Sequence, residues 1–294
     1  MTMAAVSGQT IGFIGLGLMG RPMAINLHRA GARMVVSNRS RAVVDDLAAM
    51  GMEAAATPAD VAARADTIIL MLPDTPAVEA VLLGADGVVS ALRPGSLIID
   101  MGTTMMTETR RFAERVAAAG GSYVDAPVSG GTIGAESGAL IVMAGGSDDA
   151  FARALPIFEV LGRRTTHVGP VGMGQVAKAA NQVIVGLNIG AVAEALTLAK
   201  RAGADPARVR EALKDGFADS RILEVHGQRM VDDTFTPGGK CVTQRKDMSQ
   251  ALELAASLGF DLPATRLNRD LYDKVIAAGH GNLDHAALIK VFET

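Results

Sequence analysis

The chain has 294 residues, 49% of them hydrophobic, and a formal net charge of −3, enough apolar material for about two domains. A sequence pI near 6.0 gives no basic footprint for neutralising phosphates along a nucleic acid, so nucleic acid is excluded as a partner. The single cysteine, Cys241, excludes an intramolecular disulfide and fits a reducing compartment, so a cytoplasmic protein is expected.

The amino-terminal stretch "MTMAAVSGQTIGFIGLGLMG" has no basic n-region and is repeatedly broken by glycine, unlike a secretory signal. From Thr10 to about Gly169, β-branched runs alternate with amphipathic ones. That is the pattern of βαβ units on a largely parallel sheet. The predicted strands are "TIGFIG", "RMVVSN", "TIILML", "SLIIDMG", "SYVDAPV", "LIVMAG" and "TTHVG", with helical runs such as "AVVDDLAAM", "PAVEAVLLG" and "TRRFAERVAAAG" between most of them.

After "GPVGMG" the β pattern stops, and helices are predicted over Gln175 to Ala202, Asp205 to Gly216, Ser220 to Val231, Arg245 to Leu258 and Thr265 to Ala278, with a short one from Asp284. The fold class is therefore an α/β Rossmann-type domain, residues 1–168, followed by an all-α helical domain, residues 169–294. The apolar run from Ala179 to Ala199 contains Asn181, Gln182, Asn188 and Glu194, too polar for a bilayer span. It reads as a helix buried in protein.

The first motif is "GLGLMG", which sets Gly15, Gly17 and Gly20 in G-x-G-x-x-G spacing between a predicted strand and a helix. The first glycine permits the tight turn, the second lets a pyrophosphate approach the backbone, and the third lets helix and strand pack closely. At the end of the second strand, where a dinucleotide fold usually carries an acid for the ribose hydroxyls, the chain has "SNRS". Without a carboxylate to repel a 2′-phosphate, and with Arg39 beside Ser37, Asn38 and Ser40 to bind it, NADP(H) is favoured and NAD(H) remains possible. A solvent-facing Arg39 that contacts nothing is the alternative.

The second motif is a lone cation on an apolar helix. Lys178 is followed by Asn181 and Gln182, three and four residues on, so the three side chains share one face. Gln175 and Asn188 extend this stripe. An isolated helical lysine is ordinarily solvated. A lysine just beyond the α/β domain is placed to act as a proton donor, provided partial burial lowers its pKa. A third constellation, Ser129 with Gly130 and Gly131, offers a hydroxyl and backbone amides to a carboxylate; a glycine-rich hairpin between two strands is the equal alternative. The five histidines lack metal-ligand spacing, so no metal site is predicted.

With "GFIGLGLMGRPMAINL", "MLPD", "IDMGTT", "DAPVSGG", "GMGQVAKAANQ", "KD" at Lys246 and "DHAAL" in this order, nearly the whole chain resembles the β-hydroxyacid dehydrogenase family. That resemblance implies an NAD(P)-dependent oxidoreductase acting on a CH–OH group, with Lys178 as catalytic acid/base. It implies that Ser129, Gly130, Gly131 and Asn181 bind a small carboxylate-bearing aldehyde or hydroxy acid. Leu16 and Met19 of the turn, Leu72, Pro73, Thr103 and Lys246 would join Gly15, Gly17, Gly20, Asn38, Arg39 and Ser40 around the cofactor.

Gln182 departs from the Asn-Asn pair common in the family, while "ANQVIVGLNIGAVAEALTLA" resembles its tartronate semialdehyde reductase branch most. The 3-hydroxyisobutyrate dehydrogenase and glyoxylate/succinic semialdehyde reductase branches are the alternatives. An imine reductase and a non-catalytic NADP-binding protein are the more distant ones. No membrane partner is expected. The apolar helical half predicts a homo-oligomer, dimer or tetramer.

Overall fold

The computed structural model describes residues 6–293, so residues 1–5 of the amino-terminal stretch and Thr294 lie outside the described residues. The chain divides into two compact units, the first ending at Lys178 and the second beginning at Ala179.

The first unit is built on a nine-stranded sheet. Its strands are β1 Thr10–Ile14, β2 Arg33–Ser37, β3 Glu53–Ala54, β4 Thr67–Leu70, β5 Leu97–Asp100, β6 Ser122–Asp125, β7 Val128–Ser129, β8 Leu140–Gly145 and β9 Gly162–Gly169. They run in the order β3-β2-β1-β4-β5-β6-β8-β7, with β9 against β8. Pairing is parallel through β6 and from β8 to β9, while β6 and β7 each meet β8 antiparallel. Residues such as Ile68, Ile69, Leu70, Leu97, Ile98 and Ile99 are fully buried, as expected of parallel strands covered on both faces.

The covering helices are α1 Gly20–Arg29, α2 Arg41–Ala49, α3 Pro58–Arg64, α4 Thr75–Leu83, α5 Met106–Ala118, α6 Gly131–Ser137 and α7 Asp148–Leu161. The predicted strand "SYVDAPV" is broken: β6 stops at Asp125 and β7 resumes at Val128. Pro127, which has no N–H to donate, lies in the gap. The segment between β7 and β8 is the helix α6 rather than a hairpin turn. Gly130 and Gly131 have φ of 132° and 59°, which explains two consecutive glycines where the chain swings into a helix.

Beyond each parallel strand the backbone hydrogen bonds continue. Gly15 N donates to Ser37 O, Met71 N to Ile14 O, Met101 N to Leu70 O, and Ala126 N to Asp100 O, at 2.7–3.1 Å. The loops after β1, β4, β5 and β6 are thus aligned along the carboxyl edge of the sheet, where ligands bind in open α/β folds.

The second unit is helical, with α8 Met173–Arg201 entering from the first unit, then α9 Pro206–Leu213, α10 Arg221–Val231, α11 Cys241–Ser257 and α12 Pro263–Val275, and 3-10 turns over His285–Phe292. Its core gathers Ile189, Ala193 and Leu196 of α8 with Met248, Tyr272 and Leu288. On α8, a Cβ at Gly186 would lie 2.7 Å from Met248 Sδ, and one at Gly190 2.5 Å from Asn268 Oδ1. These two glycines let α11 and α12 approach the helix closely.

Among the described residues α8 is also the helix long and apolar enough to cross a membrane, with a window mean hydropathy of 1.6, but only 39% of that window is buried. It is therefore less enclosed than the sequence suggests: Ile184 and Leu198 are 61% and 71% exposed. Gln175, Lys178 and Gln182, by contrast, are buried, as are Ile189, Ala193 and Leu196.

Candidate active site

The glycine turn follows β1, which lies between β2 and β4 where the strand order reverses. Gly15 has φ of 100°, and a Cβ there would sit 2.3 Å from Met71 O. One at Gly20 would sit 1.8 Å from Gly15 O, so only glycine permits the turn and the start of α1. A Cβ at Gly17 would meet nothing within 4 Å. The middle glycine is therefore not required by packing and leaves backbone open to an approaching ligand. No acidic residue lies in the first turn of α1 and no side chain caps it, which keeps that helix end suited to an anion. These features fit a dinucleotide pyrophosphate.

Asn38, after β2, is held inward. Its Oδ1 accepts from Leu16 N at 3.0 Å and its Nδ2 donates to Ser40 O at 3.3 Å, so it braces the glycine turn. Arg39 and Ser40 are exposed beside it. In "MLPD", Asp74 caps α4 by accepting from Ala77 N, and Leu72 packs against the sheet core.

Lys178 is only 7% exposed, and its Nζ donates to Val128 O at 2.9 Å. That carbonyl begins the run Val128, Ser129, Gly130, Gly131, so the structure brings the ammonium to the loop singled out in the sequence. The first turn of α8 is fixed by groups from two strand ends. Asp125 accepts from Gly172 N at 2.7 Å and from Gln175 N at 2.9 Å. Gln175 in turn accepts from Thr104 N at 3.1 Å and donates to Gly102 O at 3.0 Å, tying the helix to the "DMGTT" loop that carries Thr103.

Under this loop Asp100 accepts from Gly102 N, Thr104 Oγ1 and Tyr123 OH. Burial pushes Asp100 up to about 7 and Asp125 up to about 6, against the lowering effect of these hydrogen bonds. The sequence reading missed both carboxylates, which are fully buried. Their signal is an acid ending each of two apolar strands, "SLIID" and "SYVD".

In the second unit, Asn181 Oδ1 is buried with no hydrogen-bond partner, a polar atom available to a ligand. Gln182 is committed elsewhere: its Nε2 donates to Gln244 Oε1 at 3.1 Å and Asp247 Oδ2 at 2.5 Å. Lys246 pairs with Asp247 at 3.0 Å. The helical unit also gathers His226, Asp284 and His285, a grouping that linear spacing did not reveal. The Asp284 oxygens accept from Arg229 and from the amides of Gly238, Gly239 and Ala286. His226 Nδ1 lies 3.4 Å away but is not aimed as a hydrogen bond. These bonds make Asp284 a clasp joining α10 to the carboxy-terminal turns.

Residues 10–169 match the family model described as the NAD binding domain of 6-phosphogluconate dehydrogenase, and residues 172–292 the one described as the NAD-binding domain of NADP-dependent 3-hydroxyisobutyrate dehydrogenase. The chain belongs to the β-hydroxyacid dehydrogenase family. Among curated members of this family, it is 50% identical to 2-hydroxy-3-oxopropionate reductase of Escherichia coli over 283 residues, 96% of this chain and 97% of that one. It is 34% identical to 3-hydroxyisobutyrate dehydrogenase of Pseudomonas aeruginosa over 291 residues, with 96% and 98% covered. The solved structure of Mycobacterium tuberculosis 3-hydroxyisobutyrate dehydrogenase with L-serine superposes with a TM-score of 0.89 at 30% identity, covering 97% of this chain and 99% of that one. As a β-hydroxyacid dehydrogenase the chain is an oxidoreductase that uses a nicotinamide cofactor.

Proposed function

We propose that this β-hydroxyacid dehydrogenase reduces a small aldehyde acid of the tartronate semialdehyde type to its hydroxy acid, with NADPH as the preferred cofactor. The observation that carries the reading is the buried Lys178 ammonium held on the Val128 carbonyl at the head of the Ser129–Gly131 loop. The 50% identity to a 2-hydroxy-3-oxopropionate reductase supports the substrate branch. A nicotinamide bound by these residues would supply the hydride for the aldehyde carbon. Ser129 Oγ and the amides of Gly130 and Gly131 hold the substrate carboxylate, and Asn181 binds beside the lysine.

An ammonium has three N–H donors. Held at Val128 O, Lys178 gives a proton to the substrate's carbonyl oxygen as negative charge develops there. The amine left behind still donates to Val128 O, so the side chain keeps its orientation through the cycle. In the oxidative direction it takes the proton back from the alcohol. The family resemblance also assigns Thr103 and Lys246 to the cofactor.

On the cofactor side, Gly15, Leu16, Gly17, Met19 and Gly20 would cradle the pyrophosphate, Leu72 and Pro73 would flank the cofactor, and Arg39 with Ser40 would receive the 2′-phosphate. Asn38 holds that corner while bracing the turn. The test is the initial rate of NADPH and, separately, NADH oxidation with tartronate semialdehyde, methylmalonate semialdehyde, succinic semialdehyde and glyoxylate. Tartronate semialdehyde with NADPH is expected to be fastest. Absence of turnover with all four, with NADPH still bound, contradicts the reading.

The enzyme works as a homo-oligomer in the cytoplasm. Support for self-association is the apolar stripe of Ile184, Ala191, Ala195 and Leu198 left exposed along α8, since a face of this kind commonly marks a protein contact. Sedimentation of the purified chain as a monomer at micromolar concentration contradicts this.

A further inference from the structure

The segment Asp125-Ala-Pro-Val-Ser-Gly-Gly grips α8 at two points. At one end the Asp125 carboxylate takes the Gly172 and Gln175 amides, one on each oxygen. Three residues on, Val128 O takes Lys178 Nζ. A single stretch of chain therefore sets the register of the helix and presents both the lysine's anchor and Ser129.

The fit is close. A Cβ at Gly174 would lie 2.8 Å from Asp125 Oδ2, and one at Gly145 2.7 Å from Asp125 Oδ1, so two glycines make room for this carboxylate. We propose that Asp125 is a positioning residue for the reaction: its carboxylate holds the first turn of α8 so that Lys178 reaches the substrate oxygen from the Val128 carbonyl. The proposal rests on Lys178 being the proton donor.

The neighbouring acid differs in a way that makes the idea testable. Asp100 has one amide partner, Gly102, and two hydroxyl partners, Thr104 and Tyr123. Hydroxyls can turn from donor to acceptor, so Asp100 can gain a proton and keep its contacts. An amide cannot reverse. Each Asp125 oxygen faces one, and protonation or Asp125→Asn sets a donor against a donor. Burial raises Asp125 to about 6, which brings this loss into an accessible range. Other titratable groups around it are Asp100 on β5, Tyr123 on β6, Lys178 one turn along α8, Arg110 on α5 at the Gly172 corner, and His167 on β9, whose ring meets Gly146 O.

The experiment compares kcat against pH, and the NADPH dissociation constant, for the wild type, Asp125→Asn and Lys178→Ala. A misplacement of about 1 Å costs about 100-fold in turnover. We therefore expect kcat of Asp125→Asn to fall by about that factor with NADPH affinity unchanged. The wild-type acid limb near pH 6 should be absent from the variant. A merely structural role would lower stability without removing that limb.

If Asp125→Asn keeps the wild-type kcat and limb while Lys178→Ala is inactive, the proposal is overturned and the lysine assignment stands. An active Lys178→Ala overturns both. Should Asp125→Asn not fold, the wild-type profile decides: a kcat that falls below about pH 6 at constant NADPH affinity supports the proposal, and a flat one overturns it.

Discussion

Asn38 Oδ1 accepts from the amide of Leu16 at 3.0 Å, across 22 residues of sequence. The residue that follows β2 therefore shapes the glycine turn that follows β1. This division of labour leaves Arg39 and Ser40 as the exposed groups at the place where dinucleotide folds discriminate between cofactors.

The two neighbours should accordingly behave differently. Arg39→Ala removes a charge that matters only to a 2′-phosphate, and is expected to weaken NADPH binding about tenfold while leaving NADH unchanged. Asn38→Ala loosens the turn itself and is expected to weaken both. Fluorescence titration of each variant with each cofactor measures this. An Arg39→Ala protein with unaltered NADPH affinity would return the arginine to the role of a solvated side chain.

Gly190→Ala is expected to destabilise the helical unit by about 1–3 kcal/mol. The added methyl would meet Asn268 Oδ1 at 2.5 Å, and Asn268 is itself buried. Denaturant unfolding monitored by circular dichroism reads the effect. An unchanged midpoint would mean that α12 yields at no cost.

Asp284 makes the helical unit sensitive to acid. Burial raises its pKa, but His226, His285, Arg229 and the Ala286 amide overcome that and hold it below its ordinary value of 3.8. A depressed folded pKa contributes stability that is fully present above the unfolded value and lost as pH falls below it. Asp284→Ala leaves Arg229 without its buried partner and should cost about 3–5 kcal/mol at pH 7. It should also flatten the loss of stability in acid. Equal unfolding midpoints for variant and wild type at neutral pH would remove the clasp from the account.

Asp100 has the opposite sign. Its folded pKa is raised from 3.8 to about 7, so the folded state binds the extra proton and stability falls as pH rises from about 4 through 7. Asp100→Asn keeps an acceptor for Gly102 N and offers donors to Thr104 and Tyr123. It should raise the thermal midpoint at pH 8 and remove that slope between pH 5 and 8. A variant less stable than wild type at pH 8 would show that the charge is required.

Much of this was legible in the sequence because its physics is local. The glycine spacing of the turn and the runs "TIGFI" and "TIIL" each specify their element without distant partners. What was not legible depends on residues far apart in the chain. Asp125 meets Gln175 across 50 positions, Gln182 meets Asp247 across 65, and Arg229 meets Asp284 across 55, so no spacing rule reports them. The helix α6 was missed for a different reason. Its seven residues, "GTIGAES", include two glycines, and its local propensity is that of a turn. The exposed stripe of α8 escaped because apolar periodicity marks a face to be covered without telling what covers it.

The central claim, that Lys178 transfers the proton, is tested most directly by Lys178→Ala, assayed for NADPH-dependent reduction of tartronate semialdehyde alongside NADPH titration. The account predicts turnover lowered by about 10²–10⁴-fold with the NADPH dissociation constant unchanged, because the Gly15–Gly20 turn does not involve this side chain. Turnover within a few-fold of wild type would contradict it and assign the proton to another group.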